Sequence, residues 1–184
     1  MTALDLDNTT GPLSMSAAAA TALFDELPVC PPNTLRGLWA GREVHTAHPL
    51  DGVLPNVSWY GKRFDAPGAV HPLVVADASG ETFPLNPALV PMRTITSPLP
   101  LPRFFVKAAP RLMSVLRRLV FAKSHGADLA QIDHRGVTTT ALRYHDKPIV
   151  DYFRLVDNDT VLGAMEYPGM PRPYFFILRR DRPS

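Results

Sequence analysis

The sequence predicts a mainly β protein: an antiparallel meander that closes into a barrel, with one short helix ahead of the strands and an amphipathic helix between two halves. Three observations lead there. The last third, from ADLAQIDHR to PYFFILRR, is a run of strand-like segments at about ten-residue spacing with turns and no helical pattern between them. Earlier blocks alternate with a period of two. There are 20 prolines in 184 residues, about twice the ~5% average usage, which disfavours long helices. Closure would remove the edges that an open meander leaves exposed.

The length fits one domain: a mobile tail over 1–13, then a single barrel over 14–184, made of a first half (35–85), a proline-rich excursion with a helix (86–124) and C-terminal strands (125–180). Hydrophobic residues at 46% and charged residues at 20% are the composition of a soluble globular chain, not a disordered one. A net charge of +2 is too near balance for a strongly cationic nucleic-acid binder. Cys30 is the single cysteine, so no internal disulfide forms and no oxidising compartment is required. Asp5 and Asp7 stand where a secretory signal carries cations, and no apolar run approaches the ~20 residues that span a bilayer. The expected location is the cytoplasm.

In chain order, SMSAAAATALFDELP has a Ser start, a run of alanines and a Pro stop, so a helix is expected to end near Leu27 and to dock Leu23, Phe24 and Leu27 as a cap or plug. Residues 35–46 alternate as a strand, and 56–64, 71–77 and 81–85 follow with turns at 65–68 and 78–80. Prolines 87, 91, 98, 100, 102 and 110 interrupt regular pairing. In RLMSVLRRLVFAK, Leu112, Val115, Leu116 and Leu119 share one helical stripe, with Arg111, Arg117 and Arg118 opposite. That helix reads as a packed cover with a solvated cationic face, or as an element drawn to an anionic membrane surface, in weak contact, or to an acidic ligand. Turns at 135–136, 145–148 and 157–159 connect the late strands.

Gly37-Leu38-Trp39-Ala40-Gly41 is a G-x-W-x-G pattern, followed by His48-Pro49-Leu50-Asp51-Gly52 and Trp59-Tyr60-Gly61-Lys62-Arg63-Phe64. These blocks resemble the GXWXG-domain family, and residues 135–176 resemble the domain of unknown function that usually follows it. The resemblance spans roughly 35–180 and implies a calycin-like barrel, similar to lipocalins and fatty-acid-binding proteins, enclosing a small apolar ligand. By analogy with lipocalins, Trp39 would close one end with Arg154 laid over it.

For chemistry, His48 and Asp51 read either as an imidazole–carboxylate general base, with Tyr60 or Lys62 as acid or electrophile, or as a turn in which Asp51 accepts from nearby backbone N–H groups. On the strand PIVDYFRLVD only one face points inward. Inward Asp151, Phe153 and Leu155 give an apolar pocket with one carboxylate; inward Tyr152 and Arg154 give an anion site. Tyr144 points opposite to Arg143 and His145. Trp59, Tyr60, Arg143, Tyr152, Phe153 and Met165 are the candidate ligand contacts. No H-x-H, H-x-x-x-H or cysteine pair supplies metal spacing, so no metal is expected. Haem on the nitrobindin pattern would need an axial imidazole, for which His134 and His145 are the candidates. Phosphate-loop and nucleophile-elbow motifs are absent, and Cys30 before two prolines reads as inert.

The expected function is binding of a small, mostly hydrophobic molecule inside the barrel, without cofactor. The alternative is a cofactor-independent isomerase, lyase or cyclase with an acid/base pair in the same pocket. A catalyst should bring two titratable groups within hydrogen-bond reach of one point; a carrier needs no such pair. A closed barrel would be a monomer, and an edge left open by the excursion would pair in a homodimer.

Overall fold

The computed structural model describes residues 13–90, 117 and 119–182. Its strands are β1 (Leu13–Ser14), β2 (Gly37–His45), β3 (Trp59–Ala66), β4 (Ala69–Ala76), β5 (Thr82–Pro84), β6 (Ala127–His134), β7 (Val137–Tyr144), β8 (Val150–Leu155), β9 (Thr160–Glu166) and β10 (Tyr174–Arg180). Eight of them close a barrel in the order β2-β10-β9-β8-β7-β6-β4-β3, and β3 pairs back to β2. Every neighbouring pair around it is antiparallel. The strands begin and end within a few residues of the segments the alternation predicts.

Closure is uneven. β6 and β7 share eight register pairs, from Ala127↔Tyr144 to His134↔Val137, whereas β4 and β6 share only Val70↔Ala127. Beyond that pair β4 turns to β5, through Val74↔Pro84 to Ala76↔Thr82. The chain that leaves β5 therefore lies where β4 and β6 diverge.

The period of two sorts side chains between two cores. Trp39, Phe64, Leu142, Phe153, Tyr174, Phe176 and Leu178 pack in the barrel interior. Val44, Ala141, Tyr152, Leu162, Phe175 and Ile177 form an outer cluster, covered by α1 (Ala17–Glu26). Ser16 caps α1, its hydroxyl accepting from Ala19 N at 3.1 Å, and Pro28 follows the C-cap Leu27. Phe24 is buried and Leu23 and Leu27 pack beside it, so the helix covers the outer wall and does not plug the interior.

Both glycines of the G-x-W-x-G pattern have a local cause. Gly37 has φ +78°, a conformation that costs a side chain steric strain. A Cβ on Gly41 would lie 2.1 Å from the Trp59 ring, so the glycine lets that indole lie against the strand.

Two expectations change. Leu13, assigned to the tail, is buried in the outer cluster and pairs with Val44, with Ser14 beside His45 extending the pairing; the rest of the tail, 1–12, lies outside the described residues. Most of the proline-rich excursion and of the helix expected over 111–123 also lies outside them, with Arg117, Leu119 and Val120 helical. Leu119, expected on the buried stripe, is 76% exposed. It is Arg117 that meets the sheet, 2.7 Å from Glu81 and with its guanidinium 5.1 Å from the Phe83 ring. Among the described residues no helix is long and apolar enough to cross a membrane.

Candidate functional site

One end of the barrel is shut by Trp39. Its indole is fully buried, Nε1 donates to the Arg36 carbonyl at 3.0 Å, and the Arg180 guanidinium lies 4.5 Å from the ring centroid. Arg180 also donates to the Arg36 and Thr34 carbonyls at 3.0 and 2.8 Å. Arg154 does not take this place. Because Asp151 and Phe153 face inward, alternation turns Arg154 outward, where it is buried beneath α1 with its guanidinium 5.2 Å from the Phe24 ring.

Towards the other end lies a cavity of about 80 Å³. Leu50, Ile149, Tyr174 and Phe176 line its depth; Val53, Leu54, Trp59, Leu73, Val90, Lys147 and Met165, all partly exposed, line its rim. Leu73, Pro87 and Val90 come from the gap where β4 and β6 diverge. The short helix α2 (Val53–Asn56) is held over the cavity by Glu43 on β2, whose carboxylate accepts from Gly52 N and Leu54 N at 2.9 Å each and from the Tyr174 hydroxyl.

Inside this apolar surface sits one polar knot. Lys62 Nζ is 2.8 Å from Asp151 Oδ2 and donates to the Tyr144 hydroxyl and the Pro72 carbonyl at 3.0 Å each. The rings of Phe176, Tyr144 and Trp59 surround the ammonium at 5.0, 5.4 and 5.9 Å. Lys62, Asp151 and Tyr144 are all buried. Register explains the meeting: Leu142 faces Asp151 across the β7–β8 hairpin, so Leu142, Tyr144, Asp151 and Phe153 share the inner face.

Burial pushes the Asp151 carboxyl above the usual carboxylate range, although Lys62 and the Tyr144 hydroxyl pull it down. Tyr144 is pushed well up by burial and by the Asp151 charge. Asp151 Oδ1 and Trp59 Nε1 are buried with no hydrogen-bond partner among the described residues, which leaves an acceptor and a donor uncommitted at the cavity. The arrangement offers an ammonium, a carboxyl of raised pKa and a phenol to one polar group.

The other predicted residues lie elsewhere. Asp51 accepts from Thr46 N at 3.1 Å and His48 N at 2.9 Å, the geometry of a turn. His48 Nδ1 accepts from Leu50 N, and Nε2 lies 3.3 Å from the Arg172 carbonyl, so both nitrogens are engaged. Burial pushes that imidazole below its ordinary value. Tyr60 donates to Asp181 at 2.6 Å. Arg143 is exposed and bonded to Asp128 at 2.7 Å. Tyr152 is on the outer cluster, stacked 3.7 Å from the His134 ring. Phe153 is packed between Phe64 and Phe176 and is not among the residues lining the cavity. Trp59 and Met165 do line it, with Lys62 and Asp151. Of the haem candidates, His134 bonds to Glu166 at 2.9 Å and the exposed His145 pairs with Asp128; neither lines the cavity. Burial pushes the Cys30 thiol up to about 12. Tyr144, Glu43 and Arg180 were not among the predicted site residues, although the inward direction of Tyr144 follows from its alternation with Arg143.

Residues 22–80 match the family model described as GXWXG protein, and residues 125–180 match the Domain of unknown function (DUF4334). A solved structure described as the crystal structure of a protein from Thermomonospora curvata is similar over 92% of this chain and 90% of that one, with 27% sequence identity and a TM-score of 0.68. No curated protein matches the chain.

Proposed function

The chain belongs to the GXWXG family with a DUF4334 domain in its second half, and on that barrel we propose that it takes up a small, mostly apolar molecule whose polar end meets Lys62, Asp151 and Tyr144. The observation that supports this is the buried Lys62–Asp151–Tyr144 knot set in an otherwise apolar cavity, with Asp151 Oδ1 unpaired. The cavity, about 80 Å³, is smaller than the ~150 Å³ apolar cavity that accepts benzene. A larger ligand therefore enters with rim side chains such as Leu54 and Val90 displaced. The test is an anilinonaphthalene sulfonate titration of the wild type and of Leu54→Trp, which fills the rim. Saturable fluorescence enhancement that the variant loses while its circular dichroism is retained supports the reading; no enhancement, or equal enhancement in both, overturns it.

A second reading, cofactor-independent acid/base catalysis of the isomerase, lyase or cyclase kind, is favoured by the convergence of carboxyl and phenol on one ammonium within 3.0 Å. Small molecules co-purifying with the protein, identified by mass spectrometry, supply its test in D₂O. Deuterium uptake at carbon on the wild type and not on Asp151→Asn supports catalysis; absence of uptake on the wild type leaves a carrier.

A further inference from the structure

On the outer face of the barrel, away from the cavity, Asp65 of β3, His71 of β4 and His125 just before β6 turn one ligand atom each towards a common point, all within 4.8 Å of one another. His125 Nε2 is 3.1 Å from Asp65 Oδ2, and His71 Nε2 is 3.8 Å from the same oxygen. The two imidazole centroids are 4.5 Å apart. Tetrahedral zinc with bonds of ~2.0–2.1 Å holds its ligand atoms ~3.3 Å apart, so both measured separations from Oδ2 lie within about half an ångström of that spacing.

His125 and Asp65 hydrogen-bond to each other without an ion, and it is His71 that an ion would draw into the cluster. His71 is mostly buried, its Nδ1 has no hydrogen-bond partner among the described residues, and its Nε2 stops short of a hydrogen bond with Asp65. Arg63 Nε holds Asp65 Oδ1 at 2.7 Å, which leaves Oδ2 turned to the imidazoles, as an outer partner orients a ligating carboxylate. The Arg63 charge also limits affinity for a cation. Two imidazoles and one carboxylate select a borderline divalent ion over Mg²⁺ or Ca²⁺, which prefer oxygen ligands throughout.

The place matters as much as the ligands. His71 follows Val70, and His125 stands two residues before Ala127, so in antiparallel register both lie on the same side of the lone Val70↔Ala127 pair that joins β4 to β6, immediately next to it. We propose that Asp65, His71 and His125 bind one Zn²⁺-class ion, with water completing the shell, and that the ion clasps β3, β4 and β6 where the barrel closes most weakly. Sequence spacing could not show this, because His71 and His125 are 54 residues apart and only strand pairing brings them together.

Chelator-stripped full-length protein titrated calorimetrically with Zn²⁺ should take up one ion per chain at micromolar affinity, weakened at least tenfold in His71→Ala and in His125→Ala. His145→Ala, which removes an exposed imidazole beside Asp128, should bind as the wild type does. Zn²⁺ should also slow hydrogen exchange at least tenfold at the Gly126 amide, which donates to the Val70 carbonyl at 3.0 Å. Absence of saturable uptake, or equal affinity in the His71→Ala/His125→Ala double variant, overturns the site. Uptake without slower Gly126 exchange overturns the clasp.

Discussion

Lys62 and Asp151 form a buried ion pair, and the energetics of such a pair are asymmetric: removing one partner is far costlier than replacing both. Lys62→Met should destabilise the protein by about 3–5 kcal/mol near neutral pH, since it strands the Asp151 charge. The pH dependence has a definite sign. Without Lys62 the Asp151 carboxyl, already raised by burial, rises further, so the folded state holds its proton more tightly than the unfolded state does. Below the ordinary carboxylate range both states are protonated and no penalty remains; above it, stability falls as pH rises through the folded-state pKa. Urea unfolding of wild type and Lys62→Met should thus show a gap that is small near pH 4 and widest near pH 8. Lys62 and Asp151 were legible as candidates because a cation and a carboxylate on apolar strands are conspicuous. Arg180 was not, since which arginine reaches Trp39 depends on the pairing of β10 with β2, where Arg180 stands opposite Trp39.

Among the elements, β8 shows what alternation can and cannot decide. Its two faces, Asp151-Phe153-Leu155 and Tyr152-Arg154, were both readable, but the choice of inner face rests on α1, which supplies an apolar cover for the outer one. Phe24 carries that cover, touching Phe175 and His134 and lying over Arg154. Phe24→Ala should cost about 3–5 kcal/mol, as large-to-small core changes do. Ser16→Ala, which removes only the N-cap, should cost about 1 kcal/mol. Guanidinium-unfolding midpoints of the two variants should separate by that difference. The His48–Asp51 segment illustrates the opposite limit. A histidine and an aspartate three apart fit a catalytic pair and a turn equally well on paper, and the turn prevails because the backbone N–H groups of Thr46 and His48 need acceptors.

Across the whole molecule, closure is firm from β2 through β10 to β8 and between β6 and β7, narrower across the three pairs of β7 with β8, and thinnest between β4 and β6. Native-state hydrogen exchange should be slowest in β8, β9 and β10 and at least tenfold faster around Val70 and Ala127, which mass spectrometry of peptic fragments would reveal. The meander order was readable because each late strand pairs with its sequence neighbour. The thin join was not, since it is set by where β4 leaves the barrel for β5. The pairing of β2 with β10 carries a further consequence, because Ala40 and Arg179 meet across most of the chain's length. During synthesis on the ribosome, β2 waits with one edge bare until the final strand emerges. Such a long-range contact makes maturation slow and leaves nascent chains prone to sticking together, so a chaperone's protection would matter most until β10 has paired.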